Sequence, residues 1–337
     1  MKIPVSIITP VRECVSEMPA HVAHLRDLAE IAGEIIVVDS DSSDGTLDYL
    51  KEHLQIPNAV FLNHPPGLYP SWNFGISHAK YEFTTVATTG DPLPSHSLKK
   101  LFDLIQKLSA DVVISPPILL NPDHSRSSRK WPIHRLIEHY QLTDPLIFPQ
   151  AYWLVFLLGF FPKSPLSSCS GNLFRTHILQ QNPFPEDCGH RGDVMWALSV
   201  ARKVRWALAP QVESYFKFHA QSAHKQQPDP QIVRLLIEKS SEILAEQTEF
   251  LKEHGISPDA LEDLREMIVR GTTLLGIETE FRATRGFFIP WFFRPKAIKV
   301  RAKRKKLKIE DQHREEKIMG FVPDIHSVPT AFSNSRT

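Results

Sequence analysis

At 337 residues, the chain is long enough to bury a large hydrophobic core in one domain or two. Its net charge of +1, with 42% hydrophobic and 23% charged residues, is that of an ordinary globular protein and does not favour nucleic-acid binding by the chain as a whole. Three cysteines at wide spacing predict neither a disulfide framework nor a zinc site. The apolar stretch 151–161 is too short to span a membrane, so we expect it in the core or at an interface.

The first half of the chain alternates short apolar strands with amphipathic helices. Such alternation predicts an α/β fold with a mostly parallel, Rossmann-like sheet and helices on both faces. Residues 116–165 are rich in Pro, His and aromatic residues, and we expect a long loop region there. Further strands are expected after residue 170, and a helical extension from Gln231 onward. The predicted strands of the first half are 5–8, 35–38, 59–62, 83–87 and 112–114.

A polar turn follows the apolar strand 35–38. Asp39 ends that strand, and Asp41 and Asp44 come before the next helical pattern. Open α/β sheets bind ligands at the carboxyl ends of their strands, so Asp39 is placed to accept a hydrogen bond from a ligand. For Asp41 and Asp44, capping of the following helix is the alternative, and for Asp44 we favour it.

Five stretches of the chain, taken together, resemble the ordered motifs of family 2 glycosyltransferases. The resemblance covers about residues 3–222, and its most specific part is the VVDSxSxDGT turn followed by the WNxGxxxA helix. It implies the GT-A fold and the transfer of a sugar from a nucleotide-diphosphate donor to a hydroxyl of a glycan or lipid-linked acceptor, with inversion. The five stretches are VSIITPVRE, EIIVVDSDSSDGT, GLYPSWNFGISHAKYEF, SGNLFR and RGDVMWAL.

The resemblance also implies a role for individual residues. It places Asp193 as the general base that takes the acceptor's proton, although capping of the following helix is the alternative for this residue. It places a metal ion, Mg²⁺ or Mn²⁺, on Asp91 and on His219 of the KFHAQS stretch. The donor nucleotide is expected on Thr9, Pro10, Asp39, Asp41, Gly67, Asn73 and Thr89, whereas Trp72 is expected in the core.

One motif departs from the family. Most members carry Asp-x-Asp after the fourth strand, but here the first acid is replaced and the pattern is Thr89-x-Asp91. A divalent cation can still bind through one carboxylate with phosphates and waters. The site is therefore metal-dependent with weakened affinity, metal-independent, or inactive, and Asp91 as a simple turn residue before Pro92 is the remaining alternative.

The composition changes at the C-terminus. Residues 282–308 contain eleven Lys or Arg, no acid and five large aromatic residues. Cations attract anionic lipid while aromatic rings settle at the interface, so we expect this segment on the membrane surface rather than on nucleic acid, for which no recognised module accompanies it. We predict a GT-A domain over 1–225, a helical extension over 226–284, and a basic-aromatic segment with a disordered tail over 285–337.

The sequence thus predicts a glycosyltransferase of the cytoplasm, peripheral on the inner face of the membrane. Two rivals remain open at this point. The incomplete Asp-x-Asp motif favours a nucleotide-sugar-binding protein that has lost catalysis, and the basic C-terminus favours a membrane-associated scaffold protein. A nucleotide-dependent dehydrogenase is disfavoured because no GxGxxG follows the first strand.

Overall fold

The computed structural model describes residues 2–218, 229–285, 303, 305 and 313–322, and of 274–285 only the backbone. Its main sheet has eight strands in the order β3-β2-β1-β4-β8-β5-β9-β7. Strands β1 to β4 run parallel, as do β5 and β9, whereas β8 is antiparallel to both β4 and β5. The strands are β1 (Ile3–Val11), β2 (Ala32–Asp39), β3 (Ala59–Asn63), β4 (Phe83–Val86), β5 (Val112–Ile114), β7 (Leu146–Ile147), β8 (Asn172–Arg175) and β9 (Trp206–Leu208).

Two short strands, β6 (Ile118–Leu120) and β10 (Tyr215–Lys217), form a separate parallel pair. Helices cover both faces of the main sheet. The sheet separates two clusters of buried side chains, one on each face. The helices are α1 (Met18–Ala29), α2 (Thr46–His53), α3 (Leu68–Ser77), α4 (Ser95–Lys107), α5 (Pro132–His139), α6 (Gln150–Phe160), α7 (Thr176–Gln181), α8 (Gly192–Val200), α9 (Pro230–Glu253) and α10 (Pro258–Arg285).

The alternation of side chains along β1 and β2 decides which core each residue joins. Ile7 and Ile35 pack under α1 and α4, and their neighbours Ile8 and Ile36 pack under α3. Close approach of α3 to the sheet requires Gly75, since a Cβ there would lie 2.5 Å from the Ile8 side chain. The predicted α/β class, with a mostly parallel sheet between helices, is confirmed, and the predicted strands 5–8 and 35–38 lie inside β1 and β2.

The region 116–165 differs from the expected long loop. It contains β6, α5, β7 and α6, and nearly every side chain of α6 is buried. The apolar stretch 151–161 is expected in the core or at an interface, and α6 lies in the core because α9 and α10 pack over it. None of the described helices is long and apolar enough to cross a membrane.

Part of the expected C-terminal tail also packs on the domain. Residues 313–320 are helical, and Ile318 is fully buried against Gly159 of α6. The buried carboxylate of Glu315 pairs with Arg135, and its Oε1 lies 3.1 Å from the Lys163 ammonium. Residues 313–322 are therefore an ordered part of the fold. Most of the basic-aromatic segment 282–308 lies outside the described residues.

Candidate active site

The candidate site lies where the parallel strands β1, β2 and β4 end. Val11 and Asp39, the last residues of β1 and β2, are paired in register. Several hydrogen bonds tie together the two loops that follow them. Glu13 Oε1 accepts from Ser43 N (2.7 Å), Asp44 Oδ2 accepts from Val15 N (2.9 Å), and Thr46 Oγ1 accepts from Cys14 N (2.9 Å). These bonds make one rigid rim at the carboxyl edge of the sheet.

Asp39 lies under this rim with a carboxylate that is half satisfied. Its side chain is 1% exposed, and Oδ2 accepts a hydrogen bond from Ser42 N (3.0 Å). The other oxygen, Oδ1, is buried and finds no hydrogen-bond donor among the described residues. A buried acceptor left unpaired costs free energy, so this oxygen is set to accept a hydrogen bond from a bound ligand.

Asp41 and Asp44 lie in different surroundings from the buried Asp39. Asp44 Oδ1 accepts from Thr46 N (3.0 Å) at the start of α2, which agrees with the favoured capping role, although Gly45 occupies the N-cap position itself. Asp41 is exposed and has a positive φ of 53°, an uncommon conformation that aspartate tolerates better than most residues. The geometry of this turn leaves Asp41 on the surface beside the rim.

Thr9 and Pro10 point to opposite faces of β1. The Thr9 hydroxyl lies 2.7 Å from His21 Nε2 of α1, and both residues are buried. Burial lowers the pKa of His21 to about 3, so the ring is neutral at physiological pH and Thr9 is part of a core hydrogen bond. The Thr9 side chain is thus engaged away from the rim, and its backbone lies in the β1–β2 ladder opposite Val37.

Gly67 and Asn73 bracket the first two turns of α3. Gly67 is the N-cap and has extended backbone, so its role is the entry into the helix. The Asn73 amide binds the chain segment before α8: Nδ2 donates to Phe184 O (2.9 Å), and Oδ1 accepts from Phe184 N (2.9 Å). Nδ2 is also 3.0 Å from Glu186 Oε1. Asn73 therefore positions this segment, a different use of its amide from the expected donor contact.

The Asp193 carboxylate accepts a hydrogen bond from a residue that is distant in the sequence. The hydroxyl of Tyr69, on α3, donates to Asp193 Oδ1 (2.9 Å), and Val194 N donates to the same oxygen (2.8 Å). Gly192 makes this approach possible, because a Cβ there would lie 2.5 Å from the Tyr69 ring. Tyr69 itself is buried and stacks against Phe184 at 5.6 Å. The carboxylate is thereby fixed at the first turn of α8.

The surroundings of Asp193 set its acidity. Burial raises the pKa of Asp193, while the Tyr69 hydrogen bond, the positive charge of Arg191 and the Val194 N–H each oppose that rise. The Arg191 guanidinium donates to Pro162 O (2.8 Å), and its Nε is buried without a hydrogen-bond partner among the described residues. A carboxylate with a raised pKa that remains partly exposed is suited to act as a general base.

Asp91, the remaining acid of the incomplete motif, is engaged by the protein. Its Oδ2 accepts from Thr88 Oγ1 (2.8 Å) and its Oδ1 accepts from Lys217 N (3.0 Å), and burial raises its pKa to about 7. Thr89, which replaces the first acid, is half-buried beside it. Asp91 therefore joins the loop after β4 to β10.

These residues do not build a metal site by themselves. Only one carboxylate stands at the motif, and both of its oxygens already accept hydrogen bonds. The part of the chain that the structure describes holds no cluster of three or more His, Cys, Asp or Glu side chains suited to a metal. His219, the second predicted ligand, lies outside the described residues.

Contacts across the site link its two ends. Ser170, before β8, lies 2.6 Å from the Thr88 hydroxyl, which in turn reaches Asp91. Cys169, next to Ser170, is buried near Asp193, and burial raises the pKa of its thiol well above the ordinary value. Sequence reasoning missed the parts played by Tyr69, Arg191 and Ser170. The only available signal was their presence inside the motif stretches.

Comparison with known proteins finds a family match over part of the chain. Residues 6–158 match the family model "Glycosyl transferase family 2". This segment belongs to glycosyltransferase family 2. The resemblance expected from the motifs is thereby confirmed.

Relatives of known structure support the same conclusion for the fold. S. aureus TarS 1–349 in complex with UDP-GlcNAc is 16% identical and has a TM-score of 0.55, over 95% of this chain and 92% of that chain. The mannosyltransferase PcManGT from Pyrobaculum calidifontis, in complex with GDP-Man and Mn²⁺, is 14% identical with a TM-score of 0.53, over 95% and 86% of the two chains. The GT-A fold expected for the family is confirmed.

A curated relative is similar over a shorter region. The glycosyltransferase GlyG of Streptococcus pneumoniae serotype 4 is 27% identical over 113 residues, which are 33% of this chain. The match spans only 38% of the length of that relative. The comparisons therefore support the transferase class of the matched segment, and they do not identify its substrates.

Proposed function

We propose that this protein transfers a sugar from a nucleotide-diphosphate sugar to a hydroxyl group of a glycan or lipid-linked acceptor, with inversion at the anomeric carbon. The observation that carries the proposal is the Asp193 carboxylate, fixed by Tyr69 and Val194 while it stays partly exposed. It is supported by the family match, which supplies the class of reaction. The transferred sugar, a hexose or a related sugar, is part of the proposal.

The chemistry follows from a base beside an acceptor hydroxyl. The hydroxyl oxygen attacks the anomeric carbon of the donor, and the bond between that carbon and the diphosphate oxygen breaks. The acceptor proton passes to Asp193, and the electron pair of the broken bond leaves with the nucleoside diphosphate. Attack from the face opposite the leaving group inverts the configuration. Such general base catalysis contributes typically ~10²–10⁴-fold to the rate.

The donor is proposed to bind at the rim above Asp39. The buried Oδ1 of Asp39 offers an acceptor for an N–H of the base, and the loops tied by Glu13 and Asp44 offer walls around it. Related structures hold UDP-GlcNAc and GDP-Man, which supports a nucleotide-sugar donor without choosing the base. Pro10, Asp41, Gly67 and Thr89 stay in the proposal as residues of this rim and its neighbourhood.

The proposed reaction does not depend on an assigned metal site. Members of this fold often use a divalent cation, and the PcManGT structure holds Mn²⁺. The expected dependence on Mg²⁺ or Mn²⁺ stays a prediction. Both oxygens of Asp91 accept hydrogen bonds within the protein, so a metal ion would have to bind beside these contacts or replace them. We therefore derive no step through a metal ion. In the proposed reaction, the positive charge of Arg191 favours the ionised form of Asp193.

The decisive experiment is Asp193→Asn. Asparagine keeps the shape of the side chain and an oxygen that can accept from Tyr69, but it cannot take a proton. We expect nucleoside diphosphate release from UDP- and GDP-sugars to fall by about 10²-fold or more, with nucleotide affinity unchanged. Full turnover by this variant would refute the role of Asp193. A wild-type protein that binds nucleotide-sugar without any turnover, hydrolysis included, would instead favour the catalytically impaired rival.

The wider organisation is also a proposal. We keep the boundaries 1–225, 226–284 and 285–337, with 313–322 folded back on the first domain. The packing of α9 on α8 and of α10 on α6 supports a helical extension that stabilises the transferase domain. We further propose that the basic-aromatic segment 282–308 holds the protein on anionic lipid at the inner face of the membrane. The rival hypothesis, a scaffold protein, predicts no nucleotide affinity. Binding of UDP or GDP would therefore exclude it.

A further inference from the structure

The strand pair β6 and β10 extends directly from the candidate active site. Lys217 N donates to Asp91 Oδ1 (3.0 Å), and Tyr215 N donates to Pro92 O (3.1 Å), so β10 is fastened to the loop after β4. Residues 125–127 form an extended segment beside β6, where Ser127 N donates to Leu119 O (2.7 Å). We call the surface formed by residues 118–131 and 215–218 the β6–β10 ribbon. A molecule bound along it would lie next to the loop that carries Asp91.

The ribbon carries exposed positive charge. Arg126 and Arg129 are exposed, and within the described residues neither has an ion-pair partner. Lys217 Nζ lies 3.1 Å from His124 Nε2 on the same surface. Lys130, by contrast, is paired with Glu138 at 2.6 Å. Two carboxylates lie on or beside the ribbon: Asp123 accepts from Ser125 N (3.0 Å), and Glu213 accepts from the Tyr215 hydroxyl. The cations still outnumber them, and an excess of exposed positive charge attracts an anionic ligand and raises its local concentration.

Half-exposed aromatic rings lie between these cations. The Arg129 guanidinium carbon is 4.5 Å from the centre of the Phe218 ring, which holds the guanidinium plane in place. Phe218 contacts Phe216 at 5.3 Å between ring centroids, and Phe216 contacts Trp131 at 4.6 Å. The capping of α5 fixes Trp131, since Trp131 N donates to His134 Nδ1 (3.0 Å). The ribbon thus presents a rigid row of rings with a pre-oriented arginine.

We propose that the β6–β10 ribbon binds the acceptor, and that the acceptor is an anionic glycan bearing carboxylate or phosphodiester groups. This inference rests on the proposed function, whose acceptor class it narrows. Arginine binds both anionic groups in a bidentate manner, and aromatic rings pack on the apolar C–H faces of sugar rings. Both chemistries occur together here, next to the loop that carries Asp91.

The same surface is less suited to a lipid bilayer. Insertion into a membrane needs large apolar side chains that project into it, and the exposed ones among the described residues are Leu68, Tyr81 and Val269, none of which lies on the ribbon. The rings of the ribbon are only half-exposed and pack on one another. The observations therefore favour a glycan chain, and anionic lipid becomes an outcome to be tested.

The test compares the double variant Arg126→Gln/Arg129→Gln with the wild-type chain. A matched control, Lys51→Gln/Lys107→Gln, removes the same charge from exposed positions on α2 and α4. Fluorescence anisotropy would follow binding of labelled oligogalacturonate, of a phosphodiester-linked oligosaccharide and of a neutral malto-oligosaccharide of equal length. We expect at least one anionic probe to bind about tenfold tighter than the neutral one, and the double variant to lose about tenfold in that affinity.

Further measurements on the same variants decide the inference. Added salt should weaken binding of the anionic probe, because exposed charges are screened within about 10 Å at 0.1 M. Equal affinity for neutral and anionic probes, or an unchanged double variant, would overturn it, as would arginine-dependent binding to phosphatidylglycerol vesicles alone. Nucleoside diphosphate binding and donor hydrolysis, measured on the same variants, should be unaffected. Their absence in the wild-type chain would refute the proposed function rather than the assignment of this surface.

Discussion

Replacing Tyr69 by phenylalanine removes the hydroxyl that donates to Asp193 Oδ1 and leaves the ring packing intact. A hydrogen bond to a charged group contributes about 1.5–3 kcal/mol, and 1.36 kcal/mol corresponds to one pKa unit. The hydroxyl favours the ionised form of Asp193, so its loss raises the pKa of that carboxyl beyond the rise already caused by burial. The base is then protonated over a wider range of pH.

The assay is the pH dependence of kcat/KM, whose acid limb reports the essential base of the free enzyme. In Tyr69→Phe we expect this limb to move to higher pH by about one to two units, with activity on the plateau reduced far less than in Asp193→Asn. Nucleoside diphosphate affinity should not change. Tyr140→Phe is the matched control, because it removes a hydroxyl that donates to Met319 O (2.9 Å), away from Asp193.

Two results would contradict this reasoning. An acid limb that stays in place, or that moves to lower pH, would show that Tyr69 does not act through the ionisation of Asp193. An equal shift in Tyr140→Phe would show that the effect comes from general loss of stability. Urea unfolding of both variants measures this loss directly: we expect about 1 kcal/mol for Tyr140→Phe, whose hydroxyl bonds a neutral carbonyl, and about 1.5–3 kcal/mol for Tyr69→Phe, whose hydroxyl bonds a carboxylate.

Asp39→Ala should weaken the binding of UDP or GDP by roughly 1.5–3 kcal/mol in calorimetry, with Asp48→Ala, at an exposed position on α2, as the control; an Asp39→Ala affinity equal to that of the control would remove Asp39 from the nucleotide site. Asp91→Ala should lower the free energy of unfolding by about 1–3 kcal/mol even in EDTA, because Lys217 N and the Thr88 hydroxyl lose their acceptor. Unchanged stability with lost Mn²⁺ affinity would favour the metal-ligand role instead. Replacing the five basic residues at 301–306 by Gln should weaken co-sedimentation with phosphatidylglycerol vesicles by roughly 1 kcal/mol per residue. Full-length protein that ignores such vesicles would point to a protein partner.

The vesicle experiment uses substitutions because truncation would do two things at once. Cutting the chain after Thr284 removes residues 313–322, whose Ile318 is buried against α6 and whose Glu315 pairs with Arg135 and Lys163. A truncated protein would therefore lose core packing as well as the basic segment. Substitution at 301–306 changes the charge alone.

The sequence by itself determined the features that depend on local patterns. The alternation of apolar strands and amphipathic helices predicted the α/β sheet, because those periodicities reflect which side of each element is buried. The turn after β2 placed Asp39 at the carboxyl edge, and the order of the motifs indicated the family that the matched segment confirms. These inferences needed only neighbouring residues.

Only the tertiary structure decided how the side chains of the site are used. The Tyr69–Asp193 bond joins residues 124 positions apart, and nothing in the local sequence of either residue requires the other. Thr9 turns to His21, and Asn73 binds Phe184, because packing of helices on the sheet brought those partners within reach. Ile318, near the C-terminus, packs against Gly159 of α6, a contact between residues 159 positions apart that no local pattern specifies. Local pattern fixes which face of an element is buried, whereas partner choice depends on the packing of distant elements.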